Sequence, residues 1–503
     1  MNLGALKQKL TGKGTQVPAN GQGDKSIMSF DMLYQLSYMS VIAAAGVPRN
    51  LIFGHAGQLP CAPAEYFRRV ELARQRLRYD YAKACRVVGE TAQEEEIKGL
   101  LLRFSTSLIS GEPESEFLGR EWEAQAEAYD NEYGRKLEAL KMWSDAYVSL
   151  ILSAVLVIIV GVVATMIWEI ETAFIVGLAA VSVSTTALGV WLIFIMSPRE
   201  ISVLRQAGST EQRLVQRWFK LLLPFAVLAG ATLGLRGGDL GLVLLVIAAL
   251  IAPIGFISAR DDKKVTKRDG ELGSFLGSLG GVSAAIGTTV KEALGRIDLD
   301  AVNILRVEVK RLHTRLLAGI RAKLCWRRFI EETGSELANR SVGMFYDAIE
   351  LGGDASQAGY RASLFASKVA ALRAKRKTIS TPFLWLCLAM HASVVVLLVF
   401  VTEVMTIFGG MIAKATGDLP QVGGAPSMGA IASFNFAGLE IMHALVLPLV
   451  VLFTVANALA PSVANGGSRY NMLYNLAITA GISGVSLVVL PIVAKMLFQS
   501  IQL

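Results

Sequence analysis

Charge is scarce in this chain. Asp, Glu, Lys and Arg make up only 18% of its 503 residues, whereas 53% are hydrophobic. That balance excludes a soluble globular protein of this size and points to a membrane protein. Cysteine is also scarce: Cys61, Cys85, Cys325 and Cys387 are scattered, with no C-x-x-C pair and one of them inside an apolar run. Neither a disulfide framework nor a zinc site is indicated. No secretory leader opens the chain, because Met1 to Asp24 is polar and rich in Gly, Lys and Gln, without an apolar core. The N-terminus is therefore expected in the cytoplasm as a loose tail.

Catalytic constellations are missing too. TGKGT at 11–15 resembles a phosphate loop, but the motif needs glycine where Lys7 stands and Ser or Thr where Gly14 stands. There is no H-E-x-x-H, no G-x-S-x-G and no glycine-rich dinucleotide turn after a strand. The glycine-rich GELGSFLGSLGG at 270–281 has no strand before it and reads as small-residue helix packing. The expectation is a non-enzymatic protein with no cofactor.

What is present is long apolar runs. Stretches of roughly 20 residues, enough to cross a hydrocarbon layer of about 30 Å, fall at about 148–168, 172–196, 218–236, 239–258, 384–407, 435–460 and 473–498. Arg199, Arg205, Arg213, Arg217 and Lys220 crowd the link between the second and third, while WEIET and LRGGDLG on the other side carry little charge. The positive-inside rule then places the N-terminus in the cytoplasm and the C-terminus outside. The net charge of +8 fits basic cytoplasmic faces against acidic lipids, and with no recognition motif beside it nucleic acid is not an expected partner.

Two long polar regions remain, and both show apolar residues three and four apart among charges, as in EYFRRVELARQRLRYDYAKACRVV, the pattern of amphipathic helices. Their layouts match. SVIAAAGVPRNLIF pairs with SAAIGTTVKEAL, Gly46 against Gly287 (287 − 46 = 241), and LISGEPESEF pairs with IELGGDASQA, Gly111 against Gly353 (353 − 111 = 242). A near-constant offset is a signature of duplication. The glycines can end helices in the left-handed conformation, Pro48 and Pro113 suit the first turn of the next helix, and Asp354 with Gln357 forms a capping-box pattern. The expected fold is thus all-α: a polytopic membrane protein with two duplicated cytoplasmic antiparallel helical-bundle domains and about seven transmembrane helices. It divides into a tail at 1–29, a first helical domain at 30–145 and four spans at 146–258 around a basic loop at 197–217. A second helical domain at 259–383 and three spans at 384–503 complete it.

Several side chains stand out against this background. His391 and Glu403 in the fifth span, and Glu440 and His443 in the sixth, lie in apolar surroundings, where a charge costs about 2.5–3.5 kcal/mol on insertion scales and faces protein or water. Inter-helix hydrogen bonding is the bland reading; contact with a partner helix through Glu403 and Glu440 is the sharper one. Arg327, Arg328, Arg373, Lys375, Arg376 and Lys377 form basic clusters that read as a solvated positive-inside face, or as a surface for acidic lipids or an acidic protein. Gly230 and Gly234 fit the G-x-x-x-G packing pattern, which serves a homodimer or intramolecular packing equally.

GEPESEFLGREWEAQAEAY running into LEALKMWSDAYVSL, HASVVVLLVFVTEVM in the fifth span, and FNFAGLEIMHALVLPLVVLFTVANALAPSVANGGSRYNMLYNLAITAGISGV near the end together resemble the type II secretion F domain family. The resemblance is specifically to the platform proteins of archaella and archaeal-type (Tad-like) pili, and it covers about residues 30 to 498. The second copy departs from the first in lacking proline at its turn and in carrying Cys387 where the first has Asp145. The resemblance implies a membrane platform whose cytoplasmic domains sit against a hexameric secretion ATPase and whose spans feed pilin-like subunits to a growing filament. On that reading Glu112, Glu114, Asp354, Arg327 and Arg328 are candidate ATPase contacts, and Glu403 and Glu440 candidate pilin contacts. A secondary transporter or channel with cytoplasmic regulatory domains is the alternative. Its repeats would lie in the membrane bundle, whereas here the repeat is strongest in the polar regions.

Overall fold

The computed structural model describes residues 25–167, 172–204, 208–236, 239–417 and 437–499. Among these residues there are sixteen helices and no strand; the one extended pairing is an isolated bridge between Val203 and Ser335. The helices are α1 (Lys25–Ala44), α2 (Arg49–Ala56), α3 (Ala64–Leu77), α4 (Tyr81–Glu90), α5 (Glu95–Ser110), α6 (Glu114–Ile167), α7 (Thr172–Met196) and α8 (Thr210–Leu235). Then come α9 (Leu240–Ile286), α10 (Val290–Leu294), α11 (Arg306–Leu317), α12 (Ala322–Thr333), α13 (Glu336–Glu350), α14 (Ala355–Gly417), α15 (Ala437–Asn465) and α16 (Asn471–Gln499).

Seven of them, α6, α7, α8, α9, α14, α15 and α16, contain stretches long and apolar enough to cross a membrane. This is an all-α, multi-pass membrane protein. Three crossing helices far exceed the apolar runs themselves: α6 has 54 residues, α9 has 47 and α14 has 63. At 1.5 Å per residue α14 is about 95 Å long. Its polar and apolar parts share one unbroken helix because nothing between them breaks the pattern except Pro382.

The chain divides into two compact units. The first comprises residues up to Arg135, Pro198–Ser209 and Lys264–Ala374. Both long polar stretches contribute to it. α1 is buried on almost every side from Ser29 to Ile42, as expected of a helix at the centre of a core rather than at its surface. Around it, Tyr38 donates to Asp347 at 2.9 Å, Arg340 reaches Asp31 at 3.5 Å, and the Arg340 guanidinium lies over the Phe30 and Tyr34 rings at 4.9 and 4.5 Å. Phe53, Tyr81, Phe104 and Phe117 form a stack, with ring centroids 4.6 to 5.2 Å apart between neighbours. Such pairs contribute about 0.5–1.5 kcal/mol each beyond their burial.

The turns recur inside this unit. Gly46, Gly111, Gly287 and Gly352 all take positive φ (81°, 74°, 64° and 82°). In each case the following residue's N–H bonds the carbonyl five positions back: Val47 to Ile42, Glu112 to Ser107, Thr288 to Ser283 and Gly353 to Ala348, at 2.9 to 3.3 Å. This is the Schellman ending, which needs a residue free to adopt left-handed backbone. The left-handed residue of the fourth turn is Gly352, not the Gly353 expected from the sequence match, so both glycine pairs stand 241 apart (287 − 46 and 352 − 111). Gly353 serves close approach instead: a Cβ there would meet the Ala45 Cβ at 2.6 Å, and the Asp354 N–H donates to the Ala45 carbonyl at 2.9 Å. Helix starts keep the same spacing, Arg49 and Val290, Tyr81 and Ala322, Glu95 and Glu336, Glu114 and Ala355.

The second unit comprises Lys136–Ser197, Thr210–Lys263 and Lys375–Leu503. Here α15 packs along both α16 and α7. α9 and α16 approach through glycine: a Cβ on Gly255 would meet the Tyr474 backbone at 2.5 Å, and one on Gly484 would meet the Gly241 carbonyl at 2.9 Å. Small residues at such crossings let helix backbones close up where no hydrophobic effect drives them together. Of the G-x-x-x-G pair, Gly230 is packed against α9, its Cβ position lying 2.9 Å from Ile247, while Gly234 has nothing within 4 Å.

Candidate functional site

The residues singled out at the helix tips have partners. Glu112 pairs with Arg120 at 2.8 Å, Glu114 with Arg49, and Arg327 and Arg328 both with Glu331 at 3.2 and 2.9 Å. The Arg120 guanidinium, and then Ser107, hold the Glu112 carboxyl below the usual carboxylate range. Asp354 caps α14, accepting the Ser356 N–H at 2.8 Å. These are surface ion pairs, which add little to stability in water, and a helix cap that satisfies a backbone N–H. Arg327 and Arg328 keep 70% and 61% of their side chains exposed, so they remain open to an incoming partner.

A deeper cluster in the first unit was not legible as one. Arg373, expected on a solvated basic face, is buried between two carboxylates: its Nε donates to Glu200 at 2.6 Å and its Nη1 to Asp269 at 2.6 Å, while Nη2 donates to the Ile201 carbonyl at 3.3 Å. Asp269 also accepts from the Ser335 hydroxyl, and the Tyr133 hydroxyl donates to Glu200 at 3.4 Å. Glu200 belongs to Pro198–Ser209, the link between α7 and α8. Backbone bonds clasp the same link: Leu204 N–H to Gly334 at 3.2 Å and Glu336 N–H to Ser202 at 3.2 Å, with Gly208 against the Glu331 backbone. The loop read as basic is thus fastened to the polar unit by an acidic residue.

The second unit holds a polar layer among its crossing helices. Tyr147 on α6 donates to Asn457 Oδ1 on α15 at 2.9 Å, and Asn457 Nδ2 lies 3.2 Å from His391 Nδ1 on α14. His391 Nε2 lies 3.1 Å from the Thr479 carbonyl and 3.0 Å from the Ser483 hydroxyl, both on α16. Thr454 closes the layer, 2.7 Å from Ser483 and accepting the Thr479 hydroxyl on its carbonyl at 3.0 Å. The donors run one way: the phenol gives to the amide oxygen, the amide nitrogen to Nδ1, and so Nε2–H to Thr479. That assignment fits a neutral imidazole with every polar atom satisfied. The layer ties four helices together without charge, which suits register-setting between helices rather than acid–base chemistry. Asn457 sits in the ANA-x-A stretch of the sequence, the signal by which it could have been found.

Toward one end of the same unit, Arg376 is also buried rather than solvated. Its guanidinium donates to the Ala464 and Val463 carbonyls, each at 2.8 Å, and to the Ser197 hydroxyl at 2.6 Å, closing the end of α15 before the left-handed Gly466 and Gly467. Lys377 reaches Asp262 at 3.3 Å. Glu403 lies half-buried on α14. The side chains of Glu440 and His443 lie outside the described residues. No cluster of three or more His, Cys, Asp or Glu that could hold a metal occurs among the described residues.

Fold and sites together define the class: a multi-pass helical membrane protein with a polar helical unit, a clasped inter-span link and an uncharged polar layer between spans. Two curated proteins named Flagella accessory protein J resemble it in sequence. That of Methanocaldococcus jannaschii is 23% identical over 440 residues, covering 84% of this chain and 76% of its own. That of Methanococcus voltae is 23% identical over 317 residues, covering 59% of this chain and 55% of its own. No protein-family model and no solved structure matches the chain.

Proposed function

We propose that this chain is the integral membrane platform of an archaellum or a related pilus-type machine. In it the polar unit is cytoplasmic and meets a hexameric ATPase, and the crossing helices pass pilin-like subunits to the base of the filament. The observation that carries this reading is the similarity to Flagella accessory protein J across 84% of the chain. Two features support it. Three helices, α6, α9 and α14, contain both residues of the polar unit and a stretch apolar enough to cross a membrane. The sequence carries no nucleotide motif, in keeping with energy supplied by another protein.

On this reading Glu112, Glu114, Asp354, Arg327 and Arg328 form the ATPase-facing set, and Glu403 and Glu440 the pilin-facing pair. The detergent-solubilised chain is expected to retain the ATPase through affinity purification, and charge reversal at Arg327 and Arg328 together is expected to weaken that retention. A chain that never co-purifies with the ATPase in either nucleotide state removes the coupling role. The secondary-transporter reading has one observation in its favour, the buried His391–Asn457 pair between spans. Proteoliposomes containing the chain alone, showing no proton or solute flux, would close it.

A further inference from the structure

We draw no further inference here: the strongest candidate, the apolar cavity of the polar unit between the turn after α9, α12, α13 and the turn before α14, is bordered by Lys291 and Asp354 alike, and nothing in the structure shows what covers it.

Discussion

Replacing Arg373 with alanine should unfasten the link between α7 and α8. In the native chain this guanidinium satisfies two carboxylates whose side chains are only 6% and 4% exposed, Glu200 and Asp269, and also bonds the Ile201 carbonyl. Its removal leaves Glu200 with a long bond from Tyr133 at 3.4 Å and Asp269 with the Ser335 hydroxyl. Breaking a buried pair by deleting one partner costs about 3–5 kcal/mol, mostly because a charge stays buried without its counter-charge. At about 2–4 °C per kcal/mol for a unit of this size, the polar unit should melt roughly 6–20 °C lower. Hydrogen exchange should show Pro198–Ser209 losing protection before the rest of the unit. Adding Glu200→Gln and Asp269→Asn to the same chain should recover much of the loss, since no charge is then stranded. An R373A chain that melts within a degree or two of the parent, with the link still protected, would refute the clasp.

Asn457→Leu removes the joint between Tyr147 and His391 and should cost about 1–2 kcal/mol, read as a lower detergent melting temperature; an unchanged value would mean the layer adds nothing. Gly255→Ala places a methyl 2.5 Å from the Tyr474 backbone and should cost about 1–3 kcal/mol by overpacking, whereas Gly234→Ala, with nothing within 4 Å, should be silent in the same assay. Burial raises the Asp347 carboxyl, against the Tyr38 hydroxyl that bonds it, so the native state holds this proton more tightly than the unfolded chain. Stability from this group is then full at pH below the unfolded carboxylate range and falls as pH rises through the raised value. Asp347→Asn should abolish that slope, and an identical pH profile in both chains would contradict it. Burial, and then Asp31, push the Cys61 thiol up to about 12, so Cys61 should resist alkylation at pH 8 until the chain is denatured.

The crossing helices were legible because about 20 apolar residues in a row have few other uses, and the turns because left-handed backbone selects glycine. Where two glycines adjoin, as at 352 and 353, sequence alone could not say which one takes the positive φ and which admits α1. The charged residues misled for a different reason. Arg373 and Arg376 read as a solvated face because their partners are distant, with Glu200 lying 173 residues from Arg373 and Ser197 lying 179 from Arg376. The polar layer was half visible: His391 drew attention as an ionisable residue in a span, but Tyr147, 310 residues from Asn457, is one aromatic among many until the fold joins them.

The most direct measurement of the central claim is deletion of this gene in its host, with the ATPase and subunit genes left intact and the cells imaged by electron microscopy. The platform role predicts cells without the filament, with unassembled pilin-like subunits accumulating in the membrane, and filaments restored by the parent gene. Filaments of normal number and length on the deleted cells would contradict it.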